Sequence, residues 1–385
     1  MEKKLQFKVT TLKGSGIWTG SSNHMRMAAL QGTSFLGGMR FWTEALLRSF
    51  GHRVCDCVDS KKGKEVFDVK APEKICAACH SFGCTGLARA FRLHVLPVKP
   101  TTCEPQEKYI FSIPSRDRTV HYALAKGWEG ELALSLSSNR PLSWPLSLWK
   151  KGVVSLPPEV VLATFLMLEY GTLGALDQYG CGLVHLTNRE DLLPFLREAL
   201  PESGREKPER GLADLRDFYF FKGAFDPDTL RRLSSGDIRL QNGRPGERPL
   251  ARFEHIIRLR RLLRESLRSP ELRQQEVLRH WICGYMPQAR GFSGGAVGSH
   301  ISVGVTDQNR IYGWGWLPRT RLREYVGTEW TDMRRQALSA LQRGLRSVCP
   351  YLEWKDFDPL QAGDSGGDWR THVLSLVESP WREER

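Results

Sequence analysis

The sequence predicts an α+β fold built twice, as two tandem βαββαβ modules with loop insertions. Three observations carry this expectation. The chain has 385 residues, too many for one comfortable core. Each half sets strands and amphipathic helices beside a glycine-rich loop that adjoins a strand. Between the halves, LPESGREKPERGL (200–212) is polar, charged and proline-bearing, which reads as a linker. The expected domains are therefore 1–205, carrying a cysteine-rich insertion, and 213–385.

In the first half, LQFKVTTL alternates as a strand does. It leads through the loop GSGIWTGSSNH to TSFLGGMRFWTEALLRSFG, where Met39, Trp42, Leu46, Leu47 and Phe50 recur at helical spacing. Arg40, Glu44 and Arg48 line another face, which reads as a solvated, ion-paired stripe. The start of this helix is also a candidate anion site. ARAFRLHVLPV, KYIFSIP and ELALSLSS read as strands. A helix apolar nearly all round spans about 158–170. It ends in the glycine-rich LGALDQYGCG before the strand GLVHL.

The second half begins with the strand DFYFF, followed by the irregular basic loop GDIRLQNGRPGERPL. The helix ARFEHIIRLRRLLRESLRS places Phe253, Ile256, Ile257, Leu263 and Leu267 on one side and six arginines elsewhere. A second glycine-rich loop, RGFSGGAVGSH, precedes a hairpin. There Ile301, Val303 and Val305 alternate, DQN turns, and Tyr312, Trp314 and Trp316 alternate back. A last helix is expected near 333–348.

Composition narrows the function classes. Hydrophobic residues make up 41% and charged residues 26%, as in a globular protein, and no apolar run reaches the length of a bilayer span. The start MEKKLQFKVT reads as a charged lead into a strand, without a signal-peptide core, so the cytoplasm is the expected compartment. Net charge is +13, with 56 basic against 43 acidic residues, which favours a polyanionic partner.

Nine cysteines suit a reducing compartment better than a secreted disulfide scaffold. Cys55 and Cys57 form C-x-C, and Cys76 and Cys79 form C-x2-C. Four thiolates from two such knuckles would close a tetrahedral zinc site. His80 and Cys84 are spare candidates. Ordinary buried thiols explain the same residues equally well. A redox pair is set aside, because the CxxC lacks the strand-to-helix context such a site needs.

GDSGG (363–367) matches a serine-protease pentapeptide but has no triad context, and reads as a turn. Neither glycine loop matches a nucleotide-binding fingerprint. Such loops do let backbone amides approach a phosphodiester chain. Arg40, Arg89, Arg92, Arg290, His24 and His300 neighbour them, and Trp18, Trp42, Tyr179 and Phe292 are candidate base-stacking rings.

Taken together, TSFLGGMRFW, CAACHSFGCTG, LGALDQYGCG and HISVGVTDQNRIYGWGWLP resemble the RAMP superfamily of CRISPR proteins. Within it they are most similar to the first RAMP subunit of the type III-B (Cmr) effector complex. The resemblance covers about residues 5–320. It implies two ferredoxin-like, RRM-related domains and a place in an antiviral ribonucleoprotein with other Cmr subunits, guide RNA and target RNA. The implied role is non-catalytic, engaging the 3′ region of the guide and helping to capture target.

Carried onto this sequence, the implied RNA contacts are His24, Arg26, Ser34, Arg40, Trp42, Arg89, Arg92, Gln178, Tyr179, Gly180, Gly182, Arg290, Ser293 and His300. Phosphate neutralisation and shape readout would be their work, with sequence left to base pairing. Leu176 and Asp177 depart from the family pattern, which commonly has a basic residue and Thr in this loop. Arg40 has a second reading, as a structural partner of Glu44. The alternative function is a metal-independent RAMP endoribonuclease using His24 or His300 as acid and base.

Overall fold

The computed structural model describes residues 4–19, 26–27, 30–55, 68, 70–71, 74–100, 106–114, 119–125, 127–139, 156–174, 180–204, 212–234, 239–240, 251–268, 272, 276–284, 299–319, 330–357, 369–379 and 381. The first module runs β1 (Leu5–Thr11), α1 (Gly32–Ser49), β3 (Phe91–Pro100), β6 (Gly130–Ser138), α3 (Pro158–Tyr170) and β7 (Val184–Leu186). Its sheet has the order β3-β6-β1-β7, antiparallel throughout. Counted within the module, that is 2-3-1-4, the ferredoxin-like arrangement. Additions to this frame are the short strand β2 (Arg26–Met27), the helix α2 (Ala77–Phe82), the hairpin β4 (Gln106–Pro114) with β5 (Thr119–Ala125), and the helix α4 (Arg189–Glu198).

The second module repeats the scheme with β8 (Phe218–Ala224), α6 (Ala251–Ser266), β10 (Ile301–Val305), β11 (Arg310–Trp316), a helix α8 (Trp330–Arg346) and β12 (Glu353–Asp356). Its sheet order, β10-β11-β8-β12, is again 2-3-1-4 and antiparallel. The helices α5 (Pro227–Leu233), α7 (Glu276–Cys283) and α9 (Trp369–Glu378) complete it. A small third sheet draws on both halves, since β9 (Arg239–Leu240) pairs with β4.

Local chemistry explains the central elements. Helix α3 is Pro-initiated, with Pro158 at its start, where a missing N–H is harmless. It is buried on nearly every side, as its unbroken apolar run predicts. Gly38 lets α1 approach it, since a Cβ there would stand 3.2 Å from Met167 Sδ. In β11 the run Tyr-Gly-Trp-Gly-Trp puts rings on one face and glycines on the other. A side chain at Gly313 or Gly315 would overlap Phe221 or Tyr219 of β8.

The second sheet is buried on both faces. One face packs Tyr219, Phe221, Val303 and Ile311 against Ile256 and Ile257 of α6 and Leu341 of α8. The other packs Phe218, Phe220 and Trp314 against α1 of the first module, within one continuous core. Trp42 stands at the centre, with ring centroids 5.3 Å from Phe218 and 5.4 Å from Trp314. Further ties cross the junction. Trp369 Nε1 donates to Ser49 Oγ at 2.9 Å, Tyr170 Oη to the Leu376 carbonyl at 2.6 Å, and the Asp307 amide to the Lys13 carbonyl at 3.1 Å.

This packing corrects two expectations. Arg48 does not belong to a solvated stripe: it is buried, because residues near Ala213 and Cys55 cover that side of α1. Trp42 and Trp18 are also buried, at 2% and 1% exposure, so neither presents a ring face for a base to stack on.

Candidate thiol cluster and nucleic-acid interface

The thiol cluster forms where the chain returns after α1. Gly51, at φ 76°, turns the backbone out of the helix and brings Cys55 back beside it. Cys76 then caps α2, its sulfur accepting from the Cys79 amide at 3.4 Å. The Cys55 sulfur lies 3.4 Å from those of both Cys76 and Cys79. All three sulfurs fall within 4.8 Å of one another, in a pocket walled by Leu47, Val54, Ile75 and Ala78. Together they form a group able to hold a metal ion. Cys57 lies outside the described residues. Cys84 packs at the edge of the cluster, and His80 is buried in α2.

Charge is organised around the sulfurs. Arg40 Nη2 donates to Cys79 Sγ at 3.3 Å, while Arg40 Nε pairs with Glu44 at 2.8 Å. The other oxygen of Glu44 meets Arg48 at 3.4 Å. Arg48 in turn donates to the carbonyls of Cys55 at 3.5 Å and Ala213 at 3.0 Å. Hydrogen bonds from Cys55 and Cys79 hold the Cys76 thiol well below the usual cysteine range, against the opposing effect of burial. The bond with Cys55 favours ionisation of Cys79 too. The bond with Cys76, burial and the charge there outweigh it and push that thiol up.

The turn after α2 places the next candidates. Gly83 adopts φ 83°, and a Cβ there would stand 2.7 Å from the Leu87 carbonyl. Cys84 and Leu87 exchange both backbone hydrogen bonds, and β3 follows. Arg89 is half-buried, with its guanidinium 5.6 Å from the Phe91 ring centroid. Arg92 is exposed and donates to Asn139 Oδ1 at 2.7 Å, while Asn139 Nδ2 donates to the Arg89 carbonyl at 2.9 Å. Asn139 thus joins the two arginines. It was not legible in sequence, because a cross-strand register brings it there.

The other implied RNA contacts divide by location. Ser34 Oγ donates to the Thr19 carbonyl at 2.9 Å, pinning the preceding loop to the start of α1. Gly180 and Gly182 are buried, at φ 80° and 83°. The Gly182 amide donates to the Gly16 carbonyl at 3.1 Å, and Gly180 abuts the second module. These two glycines serve close packing. His300 stands in the second module, edge-on to Trp316 at 4.5 Å. His24, Gln178, Tyr179, Arg290 and Ser293 lie outside the described residues, as do Phe292, GDSGG and the side chain of Arg26.

A cleft of about 690 Å³ opens between the modules beside the edge strand β7. Lys8, His185, Arg189, Lys222 and Tyr312 line it together with Glu169, Glu190 and Asp191. Lys222 Nζ stands 5.6 Å from the Tyr312 ring centroid, and Arg189 pairs with Glu190 at 3.1 Å. Such a lining offers cations, donors and an aromatic face to a polar ligand. No linear motif marks it, since it exists only once the two modules meet.

Residues 11–185, which span the first module, match the family model of the RAMP superfamily, in agreement with the resemblance carried by the motifs. No curated protein matches the chain. Among solved structures, apo Cmr1 from Pyrococcus furiosus is similar, with 13% identity and a TM-score of 0.36, covering 82% of this chain and 90% of that one. A chain of type III-B Cmr-beta bound to cognate target RNA has 10% identity and a TM-score of 0.42, covering 89% of this chain and 100% of that one. The same assembly with AMPPnP and ssDNA gives 10% identity and 0.42 again, covering 89% and 99%. Among the described residues, no helix is long and apolar enough to cross a membrane.

Proposed function

We propose that this protein is a non-catalytic, RNA-binding subunit of a type III-B CRISPR (Cmr) ribonucleoprotein effector. It engages the 3′ region of guide RNA, helps capture target RNA in antiviral defence, and works in the cytoplasm beside other Cmr subunits. The match of residues 11–185 to the RAMP superfamily carries the reading. The repeated ferredoxin-like topology and the net charge of +13 support it. A structural zinc ion held by Cys55, Cys57, Cys76 and Cys79 belongs to the same reading, supported by the convergence of three of those thiols. Arg92, exposed on β3 beside Arg89, is a described cation accessible to phosphate.

The test incubates the purified chain with guide RNA and target RNA over a salt series, with Mg²⁺ and with EDTA. The expected result is binding that weakens steeply with salt while the RNA stays intact in both conditions. Specific cleavage in EDTA, lost in His300→Ala or His24→Ala, would replace this reading with the endoribonuclease. Salt-insensitive binding would remove the phosphate model.

A further inference from the structure

One face of α1 grips the thiol cluster at two points. Arg40 reaches the sulfur of Cys79, and Arg48 reaches the main-chain carbonyl of Cys55. Glu44, between them, fixes both guanidiniums. We propose that Arg40, Glu44 and Arg48 form the outer shell of a thiolate metal site at Cys55, Cys76 and Cys79, with Arg40 a positioning residue for a zinc-class cation and not an RNA contact. This inference rests on the zinc reading above and assigns these α1 residues to it.

Geometry and charge support the assignment. Metal–sulfur bonds of about 2.3 Å at tetrahedral angles set sulfurs about 3.8 Å apart. The Cys55 sulfur stands 3.4 Å from each of the other two, so the trio widens by a few tenths of an ångström to admit the ion. A disulfide instead needs about 2.05 Å and would strand one of the three. Three thiolates around one divalent cation leave a net negative charge in a buried site, which is costly without a partner. Arg40 supplies the opposite charge through an N–H···S bond at 3.3 Å. Its Nε is held by Glu44 at 2.8 Å, so the guanidinium is oriented before any metal arrives. Outer-shell donors of this kind typically set metal affinity by about 10–100-fold. Because Arg48 also holds the Ala213 carbonyl, the grip on Cys55 extends to the start of the second module.

The experiment measures Zn²⁺ affinity of the full chain by chelator competition, together with Co²⁺ absorption and RNA affinity. The variants are Arg40→Gln, Glu44→Gln and Cys76→Ser, with circular dichroism as the check on folding. The expected result is roughly one Zn²⁺ per chain, abolished in Cys76→Ser. Arg40→Gln should weaken Zn²⁺ affinity about 10–100-fold, shift the Co²⁺–thiolate charge-transfer band and leave RNA affinity within about twofold. Glu44→Gln, which keeps the guanidinium but loosens it, should give a smaller loss and a smaller shift. If Zn²⁺ binds but Arg40→Gln leaves affinity and band unchanged, the outer-shell assignment is overturned and the zinc reading stands. Wild-type protein that takes up neither Zn²⁺ nor Co²⁺ overturns both. A large loss of RNA affinity in Arg40→Gln with metal affinity intact returns Arg40 to the RNA interface.

Discussion

Gly180 of the first module and Gly304 of β10 meet backbone to backbone: a Cβ on Gly180 would stand 3.0 Å from the Gly304 Cα and 2.9 Å from Ile256 Cδ1. The contact is reciprocal, since a Cβ on Gly304 would stand 3.3 Å from the Gly180 Cα, and it would also run into Leu183. Gly180 and strand β10 therefore form a close-packed joint between the modules. Gly180→Val adds volume and forces a branched side chain to φ 80°, so we expect a loss of about 3 kcal/mol or more in urea unfolding. Gly37→Ala, with open space around its Cβ, should lose nothing measurable.

Trp42 fills the space between α1 and the second sheet, against Phe218, Phe220 and Trp314. Trp42→Ala should cost about 3–5 kcal/mol through the cavity it leaves, and Trp42→Phe less. Because the ring belongs to a core shared by both modules, one unfolding transition should move as a unit. Two separated transitions in calorimetry would contradict that.

Glu159, in the first turn of α3, gives a pH dependence. Burial pushes its carboxyl up to about 7 from 4.5, and the hydrogen bond from Ser81 only partly opposes this. Between those values the folded chain holds a proton that the unfolded chain has released. Stability therefore falls as pH rises through the window and stays lower above it. Glu159→Gln should match the parent near pH 4 and exceed it at pH 8, by up to about 3 kcal/mol. A difference independent of pH would rule this account out.

Arg92 bears on the RNA proposal. Arg92→Ala should weaken RNA binding without much preference among sequences, and should lower the salt slope by about 1. Asn139→Ala, which frees Arg92 and the Arg89 carbonyl from their shared partner, should weaken binding less. Fluorescence anisotropy across a salt series measures both. An unchanged slope in Arg92→Ala would remove it from the interface.

Periodicity made much of the fold legible. The apolar run of α3, the stripe of α1 and the turn of the β10–β11 hairpin all stand where their patterns put them. What sequence could not show was which surfaces the second module would cover. Arg48 occupies a face that looks solvated on an isolated helix, yet it is buried beside Ala213. Trp42 suits a stacking platform or a core equally well, and only the arrival of Phe218 and Trp314 decides between them. The thiol cluster was half legible: the C-x2-C spacing marked Cys76 and Cys79, whereas the bond from Arg40 to Cys79 depends on how α2 docks on α1. The cleft beside β7 had no linear signature at all.

If the chain binds RNA as proposed, the two-sided burial of its second sheet limits how it could read a polynucleotide. A free-standing four-stranded sheet can lay bases across its open surface, using aromatic residues as a table. Here the table is set face-down on α1, so the rings of Phe218, Phe220 and Trp314 serve as mortar. A strand of RNA would have to run along rims, loops and the seam where the modules meet. Substitutions that loosen that seam would then alter the RNA track without touching a single contact residue.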